Sequence, residues 1–82
     1  MRGGEAGWVD QRLSQICARA LAGEHVECAW ELFRLQHFPG WKPSEIAGAL
    51  GAWSRRHAIK VRFGIRKLHK VDVIFMVFTP VT

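Results

Sequence analysis

The sequence predicts one α+β domain spanning residues 1–82, with three N-terminal helices followed by a C-terminal antiparallel β-hairpin. Apolar residues recur at helical spacing through residues 8–57, the repeat shortens to two residues over 58–79, and Gly or Pro punctuates the boundaries. Composition agrees. A chain of 82 residues that is 49% hydrophobic, with four Trp and five Phe, is long enough for a single core and too apolar for disorder.

Met1 to Gly7 is Gly-rich and reads as a flexible lead-in. Val9, Leu13, Ile16, Cys17, Ala20 and Leu21 then share one helical face, with Arg12, Gln15 and Arg19 turned outward and Gly23 as the stop. From His25 to His37 the apolar arc widens over Val26, Cys28, Ala29, Trp30, Leu32, Phe33 and Leu35. This spacing predicts a central helix packed on two sides, ended by Phe38-Pro39-Gly40.

The third helix is expected from about Pro43 to His57. Pro43 suits the first helical position, Ser44 and Glu45 favour the positive end of the helix dipole, and Arg55 and Arg56 favour the negative end. Ile46, Leu50, Trp53 and His57 form its apolar stripe. Gly48 and Gly51 each cost a helix interior roughly 1 kcal/mol relative to Ala. They leave two readings open: a continuous helix that something approaches closely, or a turn at Gly51. After Ala58, Ile59, Val61, Phe63 and Ile65 alternate with Lys60, Arg62, Gly64 and Arg66, giving a strand with one apolar and one basic face. Lys67 to Lys70 is polar enough to turn, and Val71 to Phe78 is apolar on both faces, as in a covered strand closed by Pro80. Val61, Ile65 and Leu68 also fit helical spacing, and no Asn-Gly or Asp-Gly marks the turn, so a helix remains the rival over residues 58–68.

The order helix, helix, helix, hairpin resembles a winged helix-turn-helix domain. Ala47 and Gly51 stand where that family places a small residue and, four residues on, a turn glycine, with Ile46 and Leu50 as core positions. The resemblance implies that Trp53 to Ala58 begins a recognition helix entering the major groove, while the basic hairpin lies along the nucleic-acid backbone. The compactness of the chain also resembles stand-alone proteins of phages and mobile elements. That likeness brings a second function with it, a protein-binding inhibitor such as an anti-CRISPR or other host-takeover factor.

Charge points to the same half of the chain. Residues 1–41 hold four cations against five acids. Residues 42–82 hold eight, Lys42, Arg55, Arg56, Lys60, Arg62, Arg66, Lys67 and Lys70, against Glu45 and Asp72, within a chain of net charge +5. Such asymmetry concerns partners rather than fold. With Ser54, these eight form the expected contact set for nucleic acid, DNA before RNA, or for an acidic protein surface. Arg55 and Arg56 are the base-edge candidates, because a guanidinium pairs bidentately with guanine. The bland reading is a solubilising face on a strand whose other side is apolar. The uncharged run Val73 to Phe78 has high β propensity, and an open edge there invites a second copy through Ile74, Met76 and Phe78, making a homodimer.

Other chemistry is thinly represented. Cys17, His25, Cys28 and His37 include a His-x-x-Cys spacing, but no Cys-x-x-Cys or His-x-x-x-His pair supports a metal site, and both cysteines lie on apolar stripes. Two cysteines do not make a secreted disulfide framework, and a Cys17–Cys28 bridge does not suit a reducing compartment. Glu45 and Asp72 read as structural carboxylates, and Gly48 and Gly51 lack the lysine of a phosphate-cradling loop. The expectation is a cytoplasmic protein that is no enzyme and holds no cofactor or metal. No apolar run reaches the length of a membrane span, and no membrane partner is expected. Trp30 and Trp53 fall on core stripes, whereas Trp8 or Trp41 is expected as an exposed anchor for a protein partner.

Overall fold

The computed structural model describes residues 3–81, with side chains from Gly7 onward. Helix α1 (Gly3–Ile16) is followed by a break at Cys17 and a single turn, α2 (Ala18–Leu21). Strand β1 (Val26–Ala29) runs directly into helix α3 (Trp30–His37), and α4 (Pro43–Arg56) leads into strands β2 (Ile59–Leu68) and β3 (Val71–Pro80). The class is therefore α+β. Gly3 to Gly7 are helical rather than a lead-in, while residues 1 and 2 lie outside the described residues.

The main correction falls on residues 25–37. Only Trp30 to His37 is helical; Val26 to Ala29 is a strand, so the sheet has three strands in the order β1-β3-β2, all antiparallel. The cause is tertiary. An apolar β3 needs a neighbour on each edge, and Val26, Glu27, Cys28 and Ala29 face Phe78, Val77, Met76 and Phe75 in register. Val26 and Cys28 thereby point to the core, a pattern that a dense apolar window does not distinguish from a helix face. Gly23, at φ +91°, makes the turn that lets the chain leave α2 for β1.

Helices α2, α3 and α4 pack on one face of the sheet, and α1 packs against α4 and α2. Leu13, Phe38, Ile46, Leu50, Trp53, Met76 and Phe78 are fully buried there. Trp53 is the largest, and its indole N–H donates to Ser14 Oγ at 3.0 Å, which ties α4 to α1 without leaving a buried donor unpaired. At the start of α4, the Lys42 backbone N–H donates to the Glu45 carboxylate at 2.9 Å, one half of a capping box, with Pro43 beside it.

Helix α4 is continuous through both glycines, so residues 53–58 do not start a separate recognition helix. Neither glycine has positive φ. A Cβ at Gly48 would meet nothing within 4 Å, and one at Gly51 would lie 3.6 Å from Nη1 of Arg55, the free end of a flexible side chain. The helix ends at His57, and Ala58, at φ +53°, turns the chain into β2. The period-two reading of residues 59–66 holds. The hairpin turn has only two central residues, His69 and Lys70, both left-handed at φ +50° and +68°, between the paired Leu68 and Val71. This is the geometry that Asn-Gly normally supplies.

Two outcomes follow for thermal and denaturant unfolding. Gly48→Ala and Gly51→Ala should each stabilise by up to about 1 kcal/mol, raising Tm by about 4–8 °C in a domain of this size. A fall in Tm for Gly51→Ala would show that the residue is a turn after all. Replacing His69-Lys70 by Asn-Gly should add roughly 1–2 kcal/mol by relieving two left-handed residues. An unchanged denaturation midpoint would contradict the turn geometry.

Candidate functional site

The register sorts the hairpin into two faces. Lys60, Arg62, Gly64 and Arg66 of β2 share the outer face with Thr79, Val77, Phe75 and Val73 of β3 and with Glu27 of β1. Ile59, Val61, Phe63 and Ile65 share the helix-covered face with Pro80, Phe78, Met76 and Ile74. The helices cover only the base of the hairpin. Ile59, Met76 and Phe78 are buried, but Phe63 is half-exposed and Ile65 is 71% exposed.

The nine residues expected to contact a partner separate into two groups. Four are engaged within the molecule. Arg56 donates to the Asp10 carboxylate from Nε at 3.0 Å and Nη2 at 2.6 Å, joining α4 to α1, and His57 Nε2 lies 3.5 Å from the same carboxylate. Arg66 crosses the Phe75 ring, 4.9 Å from its centroid, to pair with Glu27. Lys67 lies 3.9 Å from Asp72. Ser54 is buried and donates to the Gly51 carbonyl oxygen at 2.9 Å, so its hydroxyl is spent on its own helix; its expected contact role is corrected accordingly. The other five, Lys42, Arg55, Lys60, Arg62 and Lys70, are exposed, and among the described residues no carboxylate lies within ion-pair distance of their side chains. Arg55 lies in the last turn of α4 on the helix side of the sheet, Lys60 and Arg62 on the outer face at the start of β2, Lys70 at the hairpin tip, and Lys42 at the far end of α4.

The expected self-association surface also changes. β3 is the central strand, with β1 on one edge and β2 on the other, so its edge is not open over Phe75 to Phe78. Met76 and Phe78 are core residues with no exposed side to offer a second copy, while Ile74 remains exposed.

Three features escaped sequence reasoning. The Glu27–Arg66–Phe75 cluster depends on β1 being a strand. The open side of α4 carries the small residues Ser44, Ala47, Gly48, Gly51 and Ala52 with Arg55 at its C-terminal end, visible in the sequence solely as two unexplained glycines. The uncovered apolar patch of Phe63, Ile65 and Ile74 follows from how little helix lies over the hairpin.

Ionisation reflects the same contacts. The hydrogen bonds from Arg56 hold the Asp10 carboxyl below its usual value against a smaller opposing effect of burial, with the charges of Arg56 and His57 adding to the lowering. Glu27 is lowered by its hydrogen bond with His25 and then by Arg66. Burial holds His37 below its ordinary value, helped by the charge of Arg12. Burial pushes the Cys17 thiol up to about 12, with a smaller push from Cys28, and raises Cys28 as well, so both free cysteines are poor nucleophiles. Among the described residues, no three His, Cys, Asp or Glu side chains converge on a common point. Nor is any helix among them long and apolar enough to cross a membrane. Trp8 is 51% exposed, with Trp41 half-buried 6.4 Å away, and it borders an open depression of about 300 Å³ shared with Gln11, Arg12, Gln15 and His37.

In comparisons with known proteins, no family model, no curated protein and no solved structure matches this chain.

The division of the cations is open to measurement. Asp10 has a lower pKa folded than unfolded, so its contribution is present above the ordinary carboxylate value of about 3.9 and lost as pH falls through the lower folded value. Asp10→Asn should flatten that acid limb and cost at most about 1 kcal/mol at neutral pH, the range of exposed ion pairs. Arg56→Gln should lose similar stability with unchanged affinity for any polyanion, whereas Arg62→Gln should do the reverse. Equal effects of both substitutions on affinity would refute the division.

Proposed function

We propose that this protein is a small, non-catalytic nucleic-acid-binding module of winged-helix type, acting as a regulator or accessory factor that grips phosphates with its hairpin. The observation that carries this reading is the exposed set Arg55 at the end of α4, Lys60 and Arg62 on the outer face of β2 and Lys70 at the hairpin tip, none of which has a carboxylate partner among the described residues. Element order supports it as well. A short connection over Phe38 to Lys42 joins α3 to α4, a two-stranded wing follows, and β1 lies on the far side of β3. On this reading the groove-entering helix is the whole of α4, with α3 as the helix before the turn.

The small residues on the open side of α4 let a backbone approach closely but supply almost no base-reading groups; Arg55 is the main side chain there able to reach a base edge. The binding is therefore read as dominated by phosphate contacts, with DNA preferred to RNA because a helix fits the major groove of B-form duplex and not that of A-form. A second reading, a protein-binding inhibitor of phage type, is favoured by one feature that phosphate contacts leave unused, the half-exposed apolar patch of Phe63, Ile65 and Ile74.

Retention on duplex DNA as a function of salt tests the first reading. With three or four phosphates neutralised, affinity should fall by about 40- to 150-fold between 50 and 200 mM salt. Lys60→Glu with Arg62→Glu should abolish retention while leaving the far-ultraviolet circular dichroism unchanged. Absence of binding at low salt, or binding indifferent to salt, would refute this reading and leave the inhibitor.

A further inference from the structure

Strand β2 is an outside strand of the sheet over its full length, because the order is β1-β3-β2. Half of its backbone N–H and C=O groups therefore point away from any neighbouring strand. Natural edges are usually blunted by short length, proline, bulges, charged side chains or a covering loop, and of these β2 carries charges, Lys60 and Arg62 among them. β2 shows none of the first three: it has ten residues and no proline, and it pairs one-for-one with β3 from Ile59 opposite Pro80 to Leu68 opposite Val71. The two sides of this edge also differ chemically. Lys60 and Arg62 stand on the outer face without a carboxylate partner among the described residues, whereas on the opposite face Ile65 is largely uncovered and Phe63, edge-on to Trp30 at 5.3 Å, is half-exposed.

We propose that the β2 edge accepts an extended acidic segment of a partner protein as a fourth strand. Its carboxylates would lie beside Lys60 and Arg62 on the outer face, and its alternate apolar side chains beside Phe63 and Ile65. Strand addition of this kind takes its affinity from main-chain hydrogen bonds and its selectivity from alternating side chains. Charge decides the occupant. A second copy pairing β2 with β2 about a two-fold axis continues the same face, which sets Lys60 and Arg62 beside the copy's own cations, and like charges on neighbouring strands are destabilising. Arg66 does not change this balance, because it leans away from the open edge across Phe75 to Glu27. Gly64 leaves a gap between Arg62 and Arg66 on the outer face, with nothing within 4 Å of a Cβ built there, so the incoming strand has room for one bulky side chain. The proposal uses the backbone edge and does not rest on nucleic-acid binding.

The test is amide hydrogen exchange on the full chain, with a synthetic peptide of about ten residues alternating glutamate and valine. Alternate β2 amides, those facing the open edge, should slow on peptide binding, while the amides of β1 stay unchanged. Replacing glutamate by lysine in the peptide should weaken binding at least about tenfold. Ile65→Lys, at an exposed position, should weaken the glutamate peptide by a similar factor without reducing retention on duplex DNA. Unprotected β2 amides at saturating peptide, or equal protection by the lysine peptide, would overturn the proposal. So would a dimer in sedimentation whose β2 edge amides are already protected, since the edge would then belong to a second copy. Loss of duplex retention alone, with peptide protection intact, would remove only the nucleic-acid reading.

Discussion

Two ten-residue strands are longer than the helices available to cover them. Each spans about 33 Å, against about 12 Å for α3 and about 21 Å for α4. The helices therefore seal the base of the hairpin, where Ile59, Phe78 and Met76 meet Trp53, Leu50 and Phe38, and leave its outer half projecting. Most of the surface chemistry follows from that shortfall. The alternation that buries Ile59 and partly buries Val61 continues outward into Phe63, which only reaches the edge of Trp30, and Ile65, which has no core to enter, and the opposite face carries the cations. The hairpin is a strand pair whose burial stops before its sequence pattern does.

The charge asymmetry between the two halves also works inside the molecule. Asp10 and Glu27, from the acidic half, hold Arg56 and Arg66 from the basic half, one pair locking α1 to α4 and the other reaching across the sheet from β1 to β2. Exposed pairs of this kind contribute little stability individually. They do decide which cations stay free: with Arg56 and Arg66 engaged and Lys67 leaning on Asp72, the unpaired charge concentrates at the end of α4, on the outer face of β2 and at the hairpin tip. Net charge alone overstates the binding surface, because three of the eight cations in residues 42–82 already have partners.

Local rules were legible where sequence and environment agree. The boundaries of α4 followed from Pro43, Glu45, Arg55 and Arg56, and the two-residue period of 59–66 was sufficient for β2 despite its helical rival. Legibility failed where a distant contact decides. Val26 to Ala29 is a strand only because β3, some fifty residues later, lies beside it. Ser54 is short and polar enough to look exposed, yet it sits within reach of the Gly51 carbonyl one turn back. The turn went unmarked because His69 and Lys70 adopt a backbone usually given to Asn-Gly. Of the candidate site, the identity of the cations was readable, but which of them remain unpaired depended on acids placed by the fold.

The position of β3 between β1 and β2 has a kinetic consequence. A chain is synthesised from its N-terminus, and here the strand that both others pair with comes after them in the sequence. Until β3 has left the ribosome, β1 has no ladder to join and β2 can make none of its native pairings. The α1–α4 contact through Trp53 can form earlier, but the sheet closes in a single late step with long loops to draw in, a slow class of event for a small domain. Nascent molecules thus pass through an interval in which the apolar residues of β1 and β2 are present and unpaired. Over that interval β2 is an apolar strand interleaved with Lys60, Arg62 and Arg66, the kind of charge pattern that disfavours association between exposed strands.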